Sequence, residues 1–336
     1  MQPASVTVVI PTLVADSALR ECLESLNGQT RQDFEIVIVD NSGQGLVRER
    51  VPLQANTRLI ENRQNVGFGR AFNQAFRVSN AAFIATLNDD ATASPHWVAE
   101  LLNTMESEPR VGMCASQVLL GSGDSVDSAG MLIAADGSSK QRGHRSKPDA
   151  YRNIDEVLLP SGSAALYRRA MLDRIGLFDD DFFLYCEDTD LGLRARRAGW
   201  NCLYVPSAVV HHKYSHSAGR ASSLKAYYVE RNRLFLIAKN YPAGMLATAL
   251  FASLVRYFWH VTALFTGRGA AAEFHRHGSG FELAWIVIKA HFAAFLHLPE
   301  LLRKRRGIQK NATLSTREFG ALLGRHRISL RQVASL

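Results

Sequence analysis

The sequence predicts an α/β fold in which a mostly parallel sheet is covered by helices on both faces and is followed by a helical C-terminal extension. In the first third of the chain, short β-branched runs alternate with segments of helical period, which is typical of parallel sheets buried on both faces. Two of these runs end on acidic residues, and ligands of such sheets bind at the carboxyl ends of the strands. Beyond Ser222 the chain becomes long, apolar and compatible with helices, so we expect one domain over residues 1–222 and a helical region over 223–336.

The individual elements follow from the period of the apolar residues. Residues 6–11 form a short β-branched run, which predicts a buried first strand, and leucines spaced by four and three positions predict the helix after it. Residues 34–40 and 81–90 predict strands that end on acids. Residues 121–155 are rich in Gly, Ser, Asp and Lys, so we expect mostly loop there. Further strands are expected at 57–62 and 201–206, and further helices at 69–79 and after residue 187.

The charge and cysteine content narrow the possible partners and compartment. The formal net charge is +8 and the isoelectric point is near 9.5, which favours an anionic partner such as nucleic acid, a nucleotide phosphate or an anionic membrane surface. The four cysteines are scattered without a C-x-x-C pair, so neither a zinc site nor a disulfide framework is predicted. The N-terminal stretch lacks a basic region and has too short an apolar run for a signal peptide. We therefore expect a cytoplasmic protein.

Two polar clusters are candidates for metal binding. Asn88, Asp89 and Asp90 come at the end of a predicted strand, and oxygen ligands of this kind suit Mg²⁺ or Mn²⁺. The alternative is an Asn/Asp turn that needs no metal. The stretch AVVHHKYSHS supplies His211, His212 and His216. Because neighbouring strand residues point to opposite faces, at most one of the first two faces a site.

A third cluster, Glu187, Asp188 and Asp190, directly precedes a predicted helix that ends at Gly199. We expect Asp190 to act as an N-cap or first-turn acid, which is a structural role. Glu187 is expected to pair with a neighbouring arginine. Asp188 is then the candidate for chemistry, and neighbouring aromatic residues are expected to raise the basicity of a carboxylate.

The C-terminal region has the pattern of a membrane-surface element. Ser253, Arg256 and His260 share one face of a long apolar helix, as in helices that lie in a membrane interface. A central arginine would cost about 2.5–3.5 kcal/mol if the helix crossed the bilayer. The run RKRR at 303–306 adds charges worth about 1 kcal/mol each near anionic lipid. The alternatives are a helical pair packed on the main domain with a solvated basic tail, and a transmembrane pair.

Taken together, these stretches resemble the family 2 glycosyltransferases of GT-A fold, and among them the bacterial rhamnosyltransferase-like branch. The resemblance covers about residues 5–240, with the matching stretches in the order of the family. They are VVIPT at 8–12, IVIVDNSG at 36–43, NVGFGRAFN at 65–73, LNDDA at 87–91, the run from Gly162 to Trp200 that contains CEDTDLGLRARRAGW, and AVVHH at 208–212.

The resemblance implies a role for each matching residue. Asp188 of the Glu-Asp pair corresponds to the catalytic base. Asp90 and His212 correspond to metal ligands, and Asn88 stands where the family usually has the first acid of its metal motif, so its place in the ligand set is open. The residues implied in donor binding are Pro11, Thr12, Asp40, Asn65, Gly67, Phe68 and Asp89.

The implied reaction is inverting transfer of a sugar from a nucleotide diphosphate to a hydroxyl, with Mg²⁺ or Mn²⁺ on the diphosphate. The resemblance favours dTDP-rhamnose as donor, with a UDP-sugar second. A polyprenyl-linked glycan at the inner face of the cytoplasmic membrane is the expected acceptor, in cell-surface polysaccharide synthesis, and no nucleic-acid partner is expected. The alternatives are a sugar nucleotidyltransferase and a catalytically inactive membrane-associated scaffold. The first of these normally has a basic loop after the first strand, which is missing in PTLVADSALRE.

Overall fold

The first four strands pair in parallel, as predicted, in the computed structural model. The structure describes residues 4–213, 222–267, 269, 272–274 and 280–335. The first strand pairs in parallel with the strands on both of its sides, and its apolar side chains are buried because helices cover both faces. The elements of this half are β1 (Val6–Thr12), α1 (Ser17–Asn27), β2 (Phe34–Asp40), α2 (Leu46–Arg50), β3 (Thr57–Glu61), α3 (Phe68–Val78), β4 (Phe83–Leu87), β5 (Ala91–Ala93) and α4 (Trp97–Ser107).

The second half makes the sheet mixed, because one of its strands runs antiparallel to both of its neighbours. The segment 121–155, expected to be mostly loop, contains three short strands and the start of a fourth. The elements are β6 (Val111–Leu120), β7 (Ser125–Ser128), β8 (Met131–Ile133), β9 (Ser139–Gln141), β10 (Asp155–Glu156), β11 (Ala164–Arg168), α5 (Arg169–Ile175), α6 (Glu187–Arg197) and β12 (Asn201–His212). The strand order is β10-β12-β6-β11-β4-β1-β2-β3, with β5 on β12 and β7 on β6.

The strand predicted over 81–90 is interrupted at its polar end. β4 stops at Leu87, and residues 88–90 turn the chain into β5, as the Asn/Asp-turn alternative predicts for such a run. β5 then pairs antiparallel with β12, which sets Ala91 opposite His212. The turn therefore brings the Asn88–Asp90 run beside the histidine at the end of β12.

The C-terminal helices pack on the sheet domain through a shared hydrophobic cluster, in which Met131 and Phe182 join Phe235 and Phe319. The division at 222/223 coincides with the start of the first of these helices and otherwise stays a prediction. Among the described residues no single helix is both long and apolar enough to cross a membrane, whereas one helix pair bent by 63°, Gly280–Leu296 with Leu298–Asn311, satisfies length and composition jointly. The helices are α7 (Ser223–Asn240), α8 (Ala243–Thr266), α9 (Gly280–Leu296), α10 (Leu298–Asn311), α11 (Thr316–Arg325) and α12 (Leu330–Ser335).

The polarity of α8 is the reverse of that of an ordinary surface helix. Its polar residues Ser253 and Arg256 are buried, while Phe251 is 68% and Phe258 60% exposed. The polar face of this helix therefore lies toward the protein and its apolar face points outward, while its place in a membrane interface stays a prediction. Arg256 faces the protein because its guanidinium pairs with Asp136 and with Glu230, at 2.6 Å in each case.

The basic run 303–306 is also divided between inside and outside. Lys304 pairs with Asp179 and Asp181, at 2.6 Å in each case. Arg305 is buried and donates to the carbonyl of Ala238. Of the four charges, only those of Arg303 and Arg306 belong to exposed residues, so the run as a whole is not the solvated basic tail of the alternative interpretation.

Candidate active site

A cavity of about 690 Å³ opens where β1 and β4 end, between the sheet and the C-terminal helices. Its walls hold nearly all of the predicted site residues, because the carboxyl ends of neighbouring parallel strands meet at one edge of the sheet. The predicted residues that line it are Pro11, Thr12, Asn65, Gly67, Phe68, Asn88, Asp89, Asp90, Asp188 and His212.

Asp40, which was predicted to bind the donor, does not line this cavity. It is buried, and its two carboxylate oxygens accept hydrogen bonds from the backbone N–H groups of Ser42 and Val47, at 2.8 and 2.9 Å. Its carboxylate thus fixes the chain that leaves β2, and a contact with the donor stays a prediction. The neighbouring Asn41, which sequence reasoning missed, lines the cavity and accepts from Asn62.

His212 lies between two carboxylates at the end of β12. Its Nε2 is 3.1 Å from Oδ1 of Asp90, and its Nδ1 is 3.0 Å from Oδ2 of Asp127. Burial opposes a charge on the ring, but these hydrogen bonds outweigh it and raise the pKa of His212 to about 9. His211 lies outside the cavity lining, as strand alternation predicts, and His216 lies outside the described residues.

The donor set at this point suits a metal ion that is shared with a substrate. Within the described ranges no group of three His, Cys, Asp or Glu side chains is arranged to hold a metal. Asp90 and His212 nevertheless face each other, and Asn88 Nδ2 lies 3.2 Å from His212 Nε2. Mg²⁺ sites with one or two protein ligands complete their shell with substrate phosphates and water. Asp127 on the far ring nitrogen is the partner that metal-binding histidines usually have, and no sequence pattern indicated it.

Asp188 is held by its neighbours with its carboxylate toward the cavity. Oδ2 accepts from the backbone N–H of Gly162 at 3.0 Å, and Oδ1 accepts from the backbone N–H of Thr189 at 2.6 Å. Burial raises the pKa of Asp188, and these hydrogen bonds oppose the rise. The result is an oriented carboxylate that is a stronger base than an exposed aspartate, which is what proton abstraction requires.

The two neighbouring acids have different environments. Glu187 is buried and pairs with no arginine among the described residues, so that expectation is wrong; its Oε2 has no hydrogen-bond partner. Burial and the charge of Asp188 raise the pKa of Glu187 to about 8. Asp190 belongs to the first turn of α6 as expected, but it is not the N-cap. It pairs with Arg194 and Lys239, which lower its pKa against the effect of burial.

A strained turn presents the acids. Phe183, Tyr185 and Cys186 all have positive φ, a conformation that costs non-glycine residues about 1–3 kcal/mol each. The turn is held from α7, where Nδ2 of Asn232 donates to the carbonyls of Phe182, Leu184 and Tyr185 at 2.7–2.8 Å.

Gly67 contacts the turn from the opposite side. Its φ is 84°, and a Cβ there would lie 2.1 Å from the carbonyl oxygen of Phe183. Only glycine permits this approach, and it lets the next residue, Phe68, donate its backbone N–H to the same carbonyl at 3.1 Å. The start of α3 at Gly67 and Phe68 and the turn that presents the acids are thereby joined.

Comparison with known proteins decides the family. Residues 7–176 match the family described as glycosyl transferase family 2. This chain belongs to that family. The glycosyltransferase is 30% identical over 247 residues to the N-acetylglucosaminyl-diphospho-decaprenol L-rhamnosyltransferase of Mycobacterium tuberculosis. The aligned region covers 66% of this chain and 80% of the relative.

Solved structures confirm the GT-A fold of the glycosyltransferase. The mannosyltransferase PcManGT of Pyrobaculum calidifontis, in complex with GDP-Man and Mn²⁺, aligns with a TM-score of 0.53 at 18% identity, over 93% of this chain and 86% of its own. GalNAc-T7 with UDP, GalNAc and Mn²⁺ aligns with a TM-score of 0.57 at 14% identity, over 71% of this chain and 48% of its own. The glycosyltransferase thus spans about half the length of the second structure.

Proposed function

We propose that this glycosyltransferase moves a sugar, rhamnose in the first instance, from a nucleotide-diphosphate donor to a hydroxyl of a lipid-linked glycan, with inversion. The observation that carries the proposal is one cavity that holds Asp188, with its raised pKa, together with the Asp90–His212 pair at the strand ends. The rhamnosyltransferase relative supports the class of both substrates through its name. On this basis dTDP-rhamnose is the first donor to test and a UDP-sugar the second.

In the proposed mechanism Asp188 removes the proton from the attacking hydroxyl while the donor's bond to its diphosphate breaks. The N–H groups of Gly162 and Thr189 keep the carboxylate aimed during this step. A single displacement needs one base and inverts the sugar carbon, so Asp188 alone is sufficient. Glu187 is protonated near neutral pH because of its raised pKa, and it therefore adds no second charge beside the base.

Asp90 and His212 are the residues that would hold Mg²⁺ or Mn²⁺, with Asp127 fixing the imidazole from its other nitrogen. When bound, the ion would supply charge stabilisation for the departing diphosphate. The solved structures of the same fold that contain Mn²⁺ support this assignment.

The reversed polarity of α8 supports peripheral attachment to an anionic membrane at its cytoplasmic face. The apolar faces of α8 and α9 both point outward, and a contiguous set of exposed apolar side chains marks an interaction site. Arg303 and Arg306 lie on the following helix, where they would meet anionic headgroups. The exposed apolar residues are Leu250, Phe251, Leu254, Phe258, Val261 and Phe265 of α8 with Phe281, Trp285, Ile288, Phe292 and Phe295 of α9.

The test is release of free nucleoside diphosphate from a panel of nucleotide sugars in the presence of a lipid-linked acceptor and Mn²⁺. Asp188→Asn should lower turnover by about 10²–10⁴ with little change in donor affinity, because the base acts on the acceptor hydroxyl. Asp90→Ala should instead weaken Mn²⁺-dependent donor binding. Asp173→Asn, an exposed aspartate outside the cavity, is the control and should behave as wild type.

The rival functions give different products. Release of inorganic diphosphate would identify a sugar nucleotidyltransferase, and no release with any donor would support an inactive scaffold. If Asp188→Asn lost donor binding in step with turnover, this residue would hold the donor or the metal and the base would lie elsewhere.

A further inference from the structure

The half of the cavity that is lined by β9 and the C-terminal helices contains a lysine without an ion-pair partner among the described residues. Lys140 of β9 lines the cavity, and its ammonium group has no ion pair or hydrogen bond among the described residues. Burial and the nearby charges of Lys225 and Arg256 lower the pKa of Lys140 to about 8. A cation held in such a place without a partner is stabilised by a bound anion.

The charged groups around Lys140 do not supply that anion. Glu230 forms ion pairs with Arg233 at 2.5 Å and with Arg256 at 2.6 Å. Asp136 forms ion pairs with the same two arginines. Two carboxylates thus balance two guanidinium groups. The nearby ring of His260 is kept neutral, since burial and the positive charge of Arg256 and Lys140 lower its pKa to about 4. This half of the cavity therefore keeps an excess positive charge.

The strand that carries Lys140 also contacts the residue next to Asp188. The hydroxyl of Ser139, its neighbour in β9, lies 2.9 Å from the hydroxyl of Thr189, the residue that follows Asp188. On its other side Asp188 is bound by Gly162, and the next residue, Ser163, accepts the backbone N–H of Asn88. Asp188 is thus connected through Gly162 and Ser163 to the turn at Asn88–Asp90. Through Thr189 it is connected to β9, the strand of Lys140.

The same half of the cavity has an apolar wall that continues to the outer surface. α7 contributes Leu224 and Val229, and α9 contributes Leu283 and Ile286. The opposite face of α9 carries the exposed aromatic residues of the proposed membrane surface. A ligand that combines an anionic group with a long apolar chain matches both walls.

We propose that Lys140 binds the phosphoryl group that links the acceptor sugar to its lipid, and thereby sets the acceptor hydroxyl against Asp188. This inference rests on the proposed function and adds to it a charged acceptor subsite. The substrate class is a polyprenyl diphosphate glycan, because the subsite is cationic and adjoins an apolar wall. The subsite is also near Asp188, since Lys140 follows Ser139, whose hydroxyl contacts that of Thr189.

The experiment compares Lys140→Met, which keeps the length of the side chain, with Lys140→Arg, which keeps the charge. Each is assayed with a lipid-diphosphate-linked acceptor and with an alkyl glycoside of the same sugar. Lys140→Met should raise the KM for the diphosphate-linked acceptor about 10- to 100-fold, the range for a lost charge-assisted hydrogen bond. The KM for the donor and for the alkyl glycoside should not change, and Lys140→Arg should recover most of the loss. Lys147→Met, an exposed lysine outside the cavity, is the matched control.

Direct binding of farnesyl diphosphate to the intact protein separates this inference from the proposed function. If no donor supports transfer but Lys140→Met still weakens farnesyl diphosphate binding by the same factor, the proposed function fails and the subsite stands. An increase in donor KM, or equal effects on both acceptors, would overturn the subsite. If inorganic diphosphate bound as tightly as farnesyl diphosphate, the subsite would take a free anion rather than a lipid-linked one, which also contradicts the proposal.

Discussion

Asn232→Asp tests whether the C-terminal helices hold the strained turn that presents Asp188. The substitution preserves size but replaces the amide nitrogen, which donates to the carbonyls of Phe182, Leu184 and Tyr185, by an oxygen that donates nothing when ionised. Asn232 is fully buried, so water does not replace the lost donor. The turn would then have to keep three positive-φ residues without its clamp.

The structure gives the size of the expected effect. The carbonyl of Phe182 keeps the N–H of Leu184 and the guanidinium of Arg231 as donors, so the carbonyls of Leu184 and Tyr185 are the ones that lose a partner. Leaving a buried carbonyl unpaired costs about 1–3 kcal/mol for each group, and part of that loss is recovered if the turn relaxes. We expect unfolding to become easier by about 2–4 kcal/mol on this basis. Relaxation would also move Asp188, and a misplacement of about 1 Å can lower a rate about 10²-fold. We therefore expect a loss of kcat that exceeds what the fraction of folded protein explains.

Gln29→Glu is the matched control for this variant. Gln29 is also a buried amide that donates to two carbonyls, of Ser25 and Ser94, but it lies outside the cavity lining. Thermal unfolding and steady-state kinetics of both variants should show similar losses of stability, with a loss of kcat in Asn232→Asp alone. If kcat per folded molecule is the same in both, the turn holds itself and the clamp has no catalytic effect.

Two further predictions concern pH and the membrane. The pKa of Glu187 is raised to about 8, so the native state keeps a proton that the unfolded chain releases, and stability falls as pH rises from about 4.5 to 8. Glu187→Gln should therefore raise the melting temperature near pH 8 and leave it unchanged near pH 4.5, and a gain independent of pH would contradict the assignment. Phe292→Glu, on the exposed face of α9, should reduce sedimentation with anionic liposomes, whereas Ile154→Glu, an exposed apolar residue outside the C-terminal helices, should not. Equal binding of both variants would show that α9 does not touch the membrane.

The part of the site at the strand ends could be predicted from sequence because it follows from the local order of strands and helices. Strands of a parallel sheet all end at the same edge, so polar residues at the ends of two such strands share one cavity, as Thr12 and Asn88 do. Asp127, Lys140 and Asn232 escaped prediction because their roles come from long-range contacts. Asp127 and Lys140 lie in the segment whose composition predicted loop, and short strands form there only through pairing and through packing against α7.

The orientation of α8 shows a second limit of sequence patterns. The spacing of Ser253, Arg256 and His260 correctly placed these residues on one face. Periodicity defines such a face, but it does not say which face turns toward the protein. The deciding fact is that Asp136 and Glu230 accept hydrogen bonds from the guanidinium of Arg256, and both acids lie outside α8, Asp136 in a distant part of the sequence and Glu230 in the preceding helix.

The acidic cluster before α6 illustrates how one fold gives three neighbouring carboxyl groups three different states. Asp190 is buried but meets Arg194 and Lys239, so it stays ionised and ties α6 to α7. Glu187 is buried without a cation, so it holds its proton near neutral pH. Asp188 lies between these extremes: it faces the cavity and accepts from Gly162 and Thr189, and burial still raises its pKa. If Glu187 were ionised as well, repulsion would raise the pKa of Asp188 further and leave less carboxylate to accept a proton. The neutral Glu187 is therefore part of what keeps Asp188 available for the proposed role of base.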